Sequence, residues 1–164
     1  MSLIDSLIIK FYGITGNHVA DSFLGNFLLG LAVILIGRLS LKLYFKINKR
    51  HMDGLEKELA DSHRLSLDVL KSGDKETFRH VNRLANEAYG KYFFNKVAAG
   101  AVFIWPLFLS LAWINMRFGE IRYPLPTNLP LIGDSVSFIF VFLLEFLLTL
   151  LAVKQLNNLF QKRR

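Results

Sequence analysis

Of the charged side chains that fall in the long apolar runs of this sequence, two lie well inside a run, away from both its ends, and are the residues best placed to do chemistry. Arg38 lies in the run 23–45 and Glu145 in the run 131–153. Counted as helices, Arg38 comes fifteen residues after Phe23 and Glu145 fourteen after Leu131, so each would sit roughly 21 to 23 Å along its run. A charge at that depth in lipid costs at least about 2.5 kcal/mol, so each must face protein, water or an opposite charge. A hydrated pocket would satisfy both, with Lys42, one turn beyond Arg38, lining its mouth. In the competing arrangement Arg38 and Lys42 snorkel to headgroups and Glu145 pairs with a neighbouring helix.

Other chemistry is not written in the residue pattern. His18, His51, His63 and His80 are scattered through polar segments without metal-ligand spacing, and there is no cysteine. No nucleophile elbow, phosphate-binding loop, HExxH or dinucleotide fingerprint can be read. The expectation is a protein that is not an enzyme and needs no metal or cofactor. Asp21 and Asp134 fall near span boundaries, where an acid needs no special explanation.

The elements that must carry Arg38 and Glu145 follow from composition. Of 164 residues, 52% are hydrophobic, 15 of them Phe, and the mean hydropathy is +0.35. The apolar residues collect in three runs, 23–45, 97–116 and 131–153, each near the roughly 20 residues that cross a hydrocarbon layer as a helix. Backbone groups have no water to bond in lipid, and these unbroken runs lack the alternation of barrel strands. The expected fold class is an all-α membrane protein with three transmembrane helices. The extreme N-terminus lacks a basic region and a small-residue cleavage site, so the first span is expected to be retained.

Residues 1–16 place Leu3, Ile4, Leu7, Ile8 and Phe11 on one stripe, which predicts an amphipathic interfacial helix ended by Gly13 and Gly16. The segment 46–95 predicts an antiparallel helical hairpin. One arm carries Met52, Leu55, Leu59, Leu67 and Leu70; the other carries Phe78, Val81, Ala85, Ala88 and Tyr92 at coiled-coil spacing. Ser72, Gly73 and Asp74 form its tip, a helix stop followed by an N-cap. Pro106 should kink the second span. Pro124, Pro126 and Pro130 mark 117–130 as a short connection that is neither a regular helix nor a central strand. Residues 154–164 form a basic tail.

Fifteen Lys or Arg lie in the tail and between the first two runs, Lys96 included, against three on the other side, Lys10, Arg117 and Arg122. The positive-inside bias then puts hairpin and C-terminus in the cytoplasm, and N-terminus and second loop outside. The net charge of +7 is mainly topology plus attraction to anionic lipid, with no specific nucleic-acid sequence expected as partner.

This order of parts resembles the Oxa/YidC superfamily of membrane-protein insertases, and in particular its short members: the archaeal YidC-like proteins and the third subunit of the endoplasmic reticulum membrane protein complex. The most specific stretch runs from Trp113 through Asn115 and Phe118 to Gly119, followed by Tyr123, Pro124, Leu125 and Pro126. Ile36-Gly37-Arg38 is similar in position to the family's groove arginine, and the Lys71 to Asp74 turn looks like the archaeal hairpin. The chain differs from larger insertases in having three spans, and Met52 is the only methionine in its hairpin. The resemblance implies an insertase or chaperone that passes short polar tails of client membrane proteins through a half-membrane groove lined by Arg38, Lys42 and Glu145. Expected partners are the membrane, client membrane proteins, and the ribosome or other membrane subunits; a prokaryotic source would place the protein in the plasma membrane. A non-catalytic scaffold subunit, a small ion-conducting protein and, more distantly, a holin-like lysis factor are the alternatives.

Overall fold

A computed structural model describes residues 3–129 and 133–162. Helix α1 (Leu3–Ile8) continues as a 3-10 turn (Ile9–Tyr12), and then come α2 (His18–Ile47), α3 (Lys49–Ser72) and α4 (Lys75–Phe118). A two-stranded antiparallel ribbon, β1 (Arg122–Leu129) and β2 (Gly133–Ser137), precedes α5 (Phe138–Lys162). Three of these helices, α2, α4 and α5, are long and apolar enough to cross a membrane. The protein is membrane-embedded and mostly helical.

The described chain divides into two units, Met1–Gly37 with Trp105–Arg164, and Arg38–Ile104. In the first, Leu29 of α2, Ile114 of α4, and Phe138 and Phe142 of α5 are buried together. Aromatic rings seal this core at the ribbon end: Phe118 stacks on Phe138 at 4.6 Å, and Tyr12 and Tyr123 pack beside them. A second cluster joins Val33 and Ile34 to Phe146. Gly25 makes the approach of the N-terminal segment possible, because a Cβ there would run into the ring of Tyr12.

The start of α2 is fixed by polar side chains. Asn17 Oδ1 accepts from the amides of Val19 and Ala20, the geometry of an N-cap. Asp21 accepts from the amides of Ile14, Thr15 and Gly16, with Gly16 at a left-handed φ of 77°. An acid expected to be incidental therefore ties down the loop before the helix.

In the second unit only Asn48 separates α2 from α3, and only Gly73 and Asp74 separate α3 from α4. Gly73 takes the left-handed conformation that ends α3, and Asp74 accepts from the amides of Glu76 and Thr77 to start α4. The Thr77 hydroxyl adds a bond to Asp74, and these donors hold its carboxyl below the usual carboxylate range. On the hairpin part of α4, residues 75–95, the buried and half-buried residues are Phe78, Val81, Ala85, Ala88 and Tyr92, with Gly90 and Asn95 half-buried beside them. On α3 they are Met52, Leu55, Leu59, Ser62, Ser66 and Val69, whereas Leu67 and Leu70 are 44% and 55% exposed. The expected seam on this arm is thus corrected in its second half. The three-four spacing that begins at Met52 continues through two serines, while the leucines stand one position off that face. Lys91 crosses to Glu58 at 2.7 Å.

Three boundaries also differ from the sequence expectation. The second arm of the hairpin and the second span are one helix of 44 residues carrying Pro106 inside it. Between Tyr92 and Val97 there is no Gly or Pro, so nothing interrupts the backbone ladder. At roughly 1.5 Å per residue, α4 is about 66 Å long, twice a hydrocarbon layer. The third span begins at Phe138 rather than Leu131, because residues 133–137 pair as a strand with β1: Arg122 opposite Ser137, Tyr123 opposite Val136 and Pro124 opposite Ser135. Proline is tolerated there because a ribbon has only edge strands, where an amide can be absent without breaking a ladder. Ser137 then caps α5 by accepting from the amide of Phe140. Finally, the segment read as a basic tail is helical as far as Lys162; Arg163 and Arg164, like Met1, Ser2, Pro130 and Leu131, lie outside the described residues.

Candidate functional site

Polar groups inside apolar helices are the features that packing alone does not explain. In the first unit they form a line from the N-terminal segment into α5. Asp21 and Gly16 hold the loop that returns Tyr12 against α2, and the Tyr12 hydroxyl donates to Asn26 Oδ1 at 2.9 Å. Burial pushes the Tyr12 phenol up, which keeps that hydroxyl a donor. Asn26 is fully buried. Its side chain lies close enough to Glu145 to interact with it, yet Asn26 Nδ2 and both Glu145 carboxylate oxygens are buried without a hydrogen-bond partner among the described residues. Thr149, one turn on, donates its hydroxyl to the Glu145 carbonyl at 2.7 Å and leaves the carboxylate untouched.

Glu145 stands seven residues into α5, roughly 10 Å from its first residue, not fourteen residues into a helix starting at Leu131. The equal depths counted from Phe23 and Leu131 therefore do not hold. Its neighbours are in the first turns of α2: Phe23 and Phe27, with Leu148, Thr149 and Ala152 of α5, surround a cavity of about 320 Å³ that Glu145 lines. Arg38 and Lys42 belong to the second unit, where both are exposed on α2 among the exposed leucines Leu39 and Leu43.

A second cavity, of about 440 Å³, is walled by Leu7, Ile8 and Phe11 of the N-terminal segment, by α2 around Val33 and by α4 around Pro106. The N-terminal wall is fastened to α4. Asp5 accepts from Trp113 Nε1 and Arg117 Nε, both at 3.0 Å, and pairs with the Arg117 guanidinium. Arg117 first, and Trp113 after it, hold the Asp5 carboxyl below its ordinary range. In the same wall the Ser110 hydroxyl donates to the Pro106 carbonyl one turn earlier, at 3.0 Å.

The stretch carrying the family resemblance is distributed over several jobs. Trp113 binds Asp5, Phe118 lies in the aromatic cluster, and the Asn115 carbonyl accepts from Gly119, where any Cβ would collide with it. Pro124 is exposed on β1, and the side chain of Pro126 lies outside the described residues. At the hairpin tip Gly73 and Asp74 are exposed, and the Ser72 side chain is likewise outside the described set. Lys96 caps a different feature, lying over the rings of Phe45 at 5.6 Å and Tyr92 at 5.1 Å.

Asn26, Tyr12 and Asp5 were not legible as site residues in the sequence. An asparagine in an otherwise apolar run was a signal for the first; nothing local marks the other two. Among the described residues no group of three or more His, Cys, Asp or Glu could hold a metal ion. Comparison with protein-family models, with curated proteins and with solved structures found no match to this chain.

Proposed function

We propose that this protein is a membrane-protein insertase or chaperone that helps short polar tails of client proteins across the bilayer. Its orientation follows the charge count: the α3–α4 hairpin and the end of α5 are cytoplasmic, and the N-terminal segment and the β ribbon are outside. The observation that carries the proposal is Arg38, an exposed cation on an apolar helix with exposed Leu39 and Leu43 around it. A guanidinium within an apolar span attracts anionic groups, so an acidic segment passing along α2 would be stabilised there. Translocation is driven by burial of the client's own apolar helix, about 25 cal/mol per Å², and needs no nucleotide.

Photo-crosslinkers placed at Leu39 and Leu41 test this in living cells. Newly made membrane proteins with short translocated tails should be captured from both positions during synthesis, and long-finished ones should not. Capture of lipid or mature proteins alone would contradict the proposal.

A scaffold subunit of a larger membrane complex is the second reading, favoured by one observation. Tyr89, Phe93 and Phe94 of α4 are exposed side by side, with ring centroids 6.1 and 5.7 Å apart, and exposed aromatic clusters mark interaction surfaces. Phe93→Ser with Phe94→Ser would dissociate such a complex while leaving crosslinking at Leu41 intact if the insertase proposal holds.

A further inference from the structure

Glu145 has a property that a groove around Arg38 does not use. Two carboxylate oxygens and the Nδ2 of the neighbouring Asn26 are buried at one place; the Asn26 amide is near enough to act on the carboxylate, but no well-formed hydrogen bond joins them, and among the described residues no cation pairs with Glu145. Buried polar atoms in folded proteins nearly always have partners, and hydrocarbon has no water to provide one. Asn26 is held by Tyr12 on its other side, so the pair is positioned rather than loose.

The cavity beside them indicates what completes them. Its walls are Phe23, Phe27, Leu148 and Ala152, which suit an apolar helix, and Glu145 is its one ionisable group. An inorganic cation takes several oxygen ligands, and no cluster of three acidic or imidazole groups is present among the described residues. A single ammonium or guanidinium needs only one carboxylate. The position, roughly 10 Å inside α5, is the depth of a side chain on a membrane-crossing helix rather than of a lipid headgroup.

We propose that Glu145, with Asn26 beside it, is the docking site for a lysine or arginine carried within the transmembrane helix of a client; this deepens the insertase proposal and rests on it. A lone basic residue is costly in the hydrocarbon, as is the lone carboxylate, and pairing offsets both costs at once. Asn26 Nδ2 then donates to the carboxylate that the cation holds ionised. Clients with a basic residue near the outer end of a span would be retained at α5 until a permanent partner replaces the contact.

Association can be read without insertion. The full-length protein, in nanodiscs of zwitterionic lipid, is mixed with a synthetic leucine-alanine transmembrane peptide carrying a photo-crosslinker and either lysine or norleucine seven residues from its outer end. The lysine peptide should crosslink at least about fivefold more than the norleucine peptide, and Glu145→Gln should remove that preference. The two peptides are compared on the unmodified protein, so a variant that folds badly does not decide the matter. Equal crosslinking, or a preference that survives Glu145→Gln, overturns the site. Lysine preference in a protein that inserts no client would contradict the insertase proposal and not the docking site; insertion without lysine preference would contradict the site alone.

Discussion

Asn26 sits among Phe23, Phe27 and Leu29 on a helix that has every reason to be apolar there, and it is tolerated because Tyr12 satisfies one end of its amide. Removing that hydroxyl leaves a buried acceptor unpaired, which costs about 1–3 kcal/mol. Tyr12→Phe should therefore lower the unfolding temperature in detergent although only one oxygen is lost; an unchanged temperature would mean that Asn26 finds another partner. Asp5 gives a pH prediction. Arg117 depresses its pKa in the folded protein, so its contribution is present above the ordinary carboxylate range and lost as pH falls through the lowered value. With Trp105→Phe as background, Trp113 emission should stay constant from neutral pH down through the ordinary carboxylate range and change only below it, and Asp5→Asn should abolish that step. An equal change in the Asp5→Asn protein would assign it to another group. At this scale the sequence was readable only where a residue contradicts its own surroundings, as Arg38 and Glu145 do. Asp5 meets Trp113 and Arg117 at separations of 108 and 112 residues, and no local spacing encodes such a contact.

Elements were legible where one physical rule acts alone. The three apolar runs became α2, α4 and α5 because backbone in lipid has few alternatives to a helix. Legibility failed where rules compete. Residues 133–137 were counted in the third apolar run, but they read Gly-Asp-Ser-Val-Ser and form a strand, paired with β1 after Gly133 adopts a left-handed φ of 85°. The α3 seam passes through Ser62 and Ser66, which a count of leucines overlooks. The hairpin yields a direct prediction. Ala85 is buried at the middle of the α4 seam, and a proline there removes an amide and clashes with the preceding turn at a cost of about 3 kcal/mol or more. Ala85→Pro should expose α3 and the first half of α4 to protease while leaving the apolar half of α4 protected. Unchanged cleavage would be incompatible with a helical seam at that position. Ala88→Ser, by contrast, should be mild, since a serine already lies buried on the facing arm at Ser66.

At the scale of the whole molecule, two properties must agree: which side each charged segment faces, and whether the charge inside α2 meets clients. Fifteen Lys or Arg against three make opposite-side labelling the expectation for cysteines at Ser72 and Thr127, read with a membrane-impermeant thiol reagent in cells. Labelling of both from one side would reverse the cytoplasmic assignment of the hairpin. The central claim is tested most directly by client insertion in cells depleted of the native protein and supplied with Arg38→Ala. Two clients are compared that differ only in the translocated tail, one acidic and one neutral. The interaction lost is electrostatic and acts on the tail, so insertion of the acidic client should fall several-fold more than that of the neutral one, and Arg38→Lys should recover part of it because a positive charge survives without the planar fork. Equal insertion of both clients in Arg38→Ala and wild-type cells would contradict it.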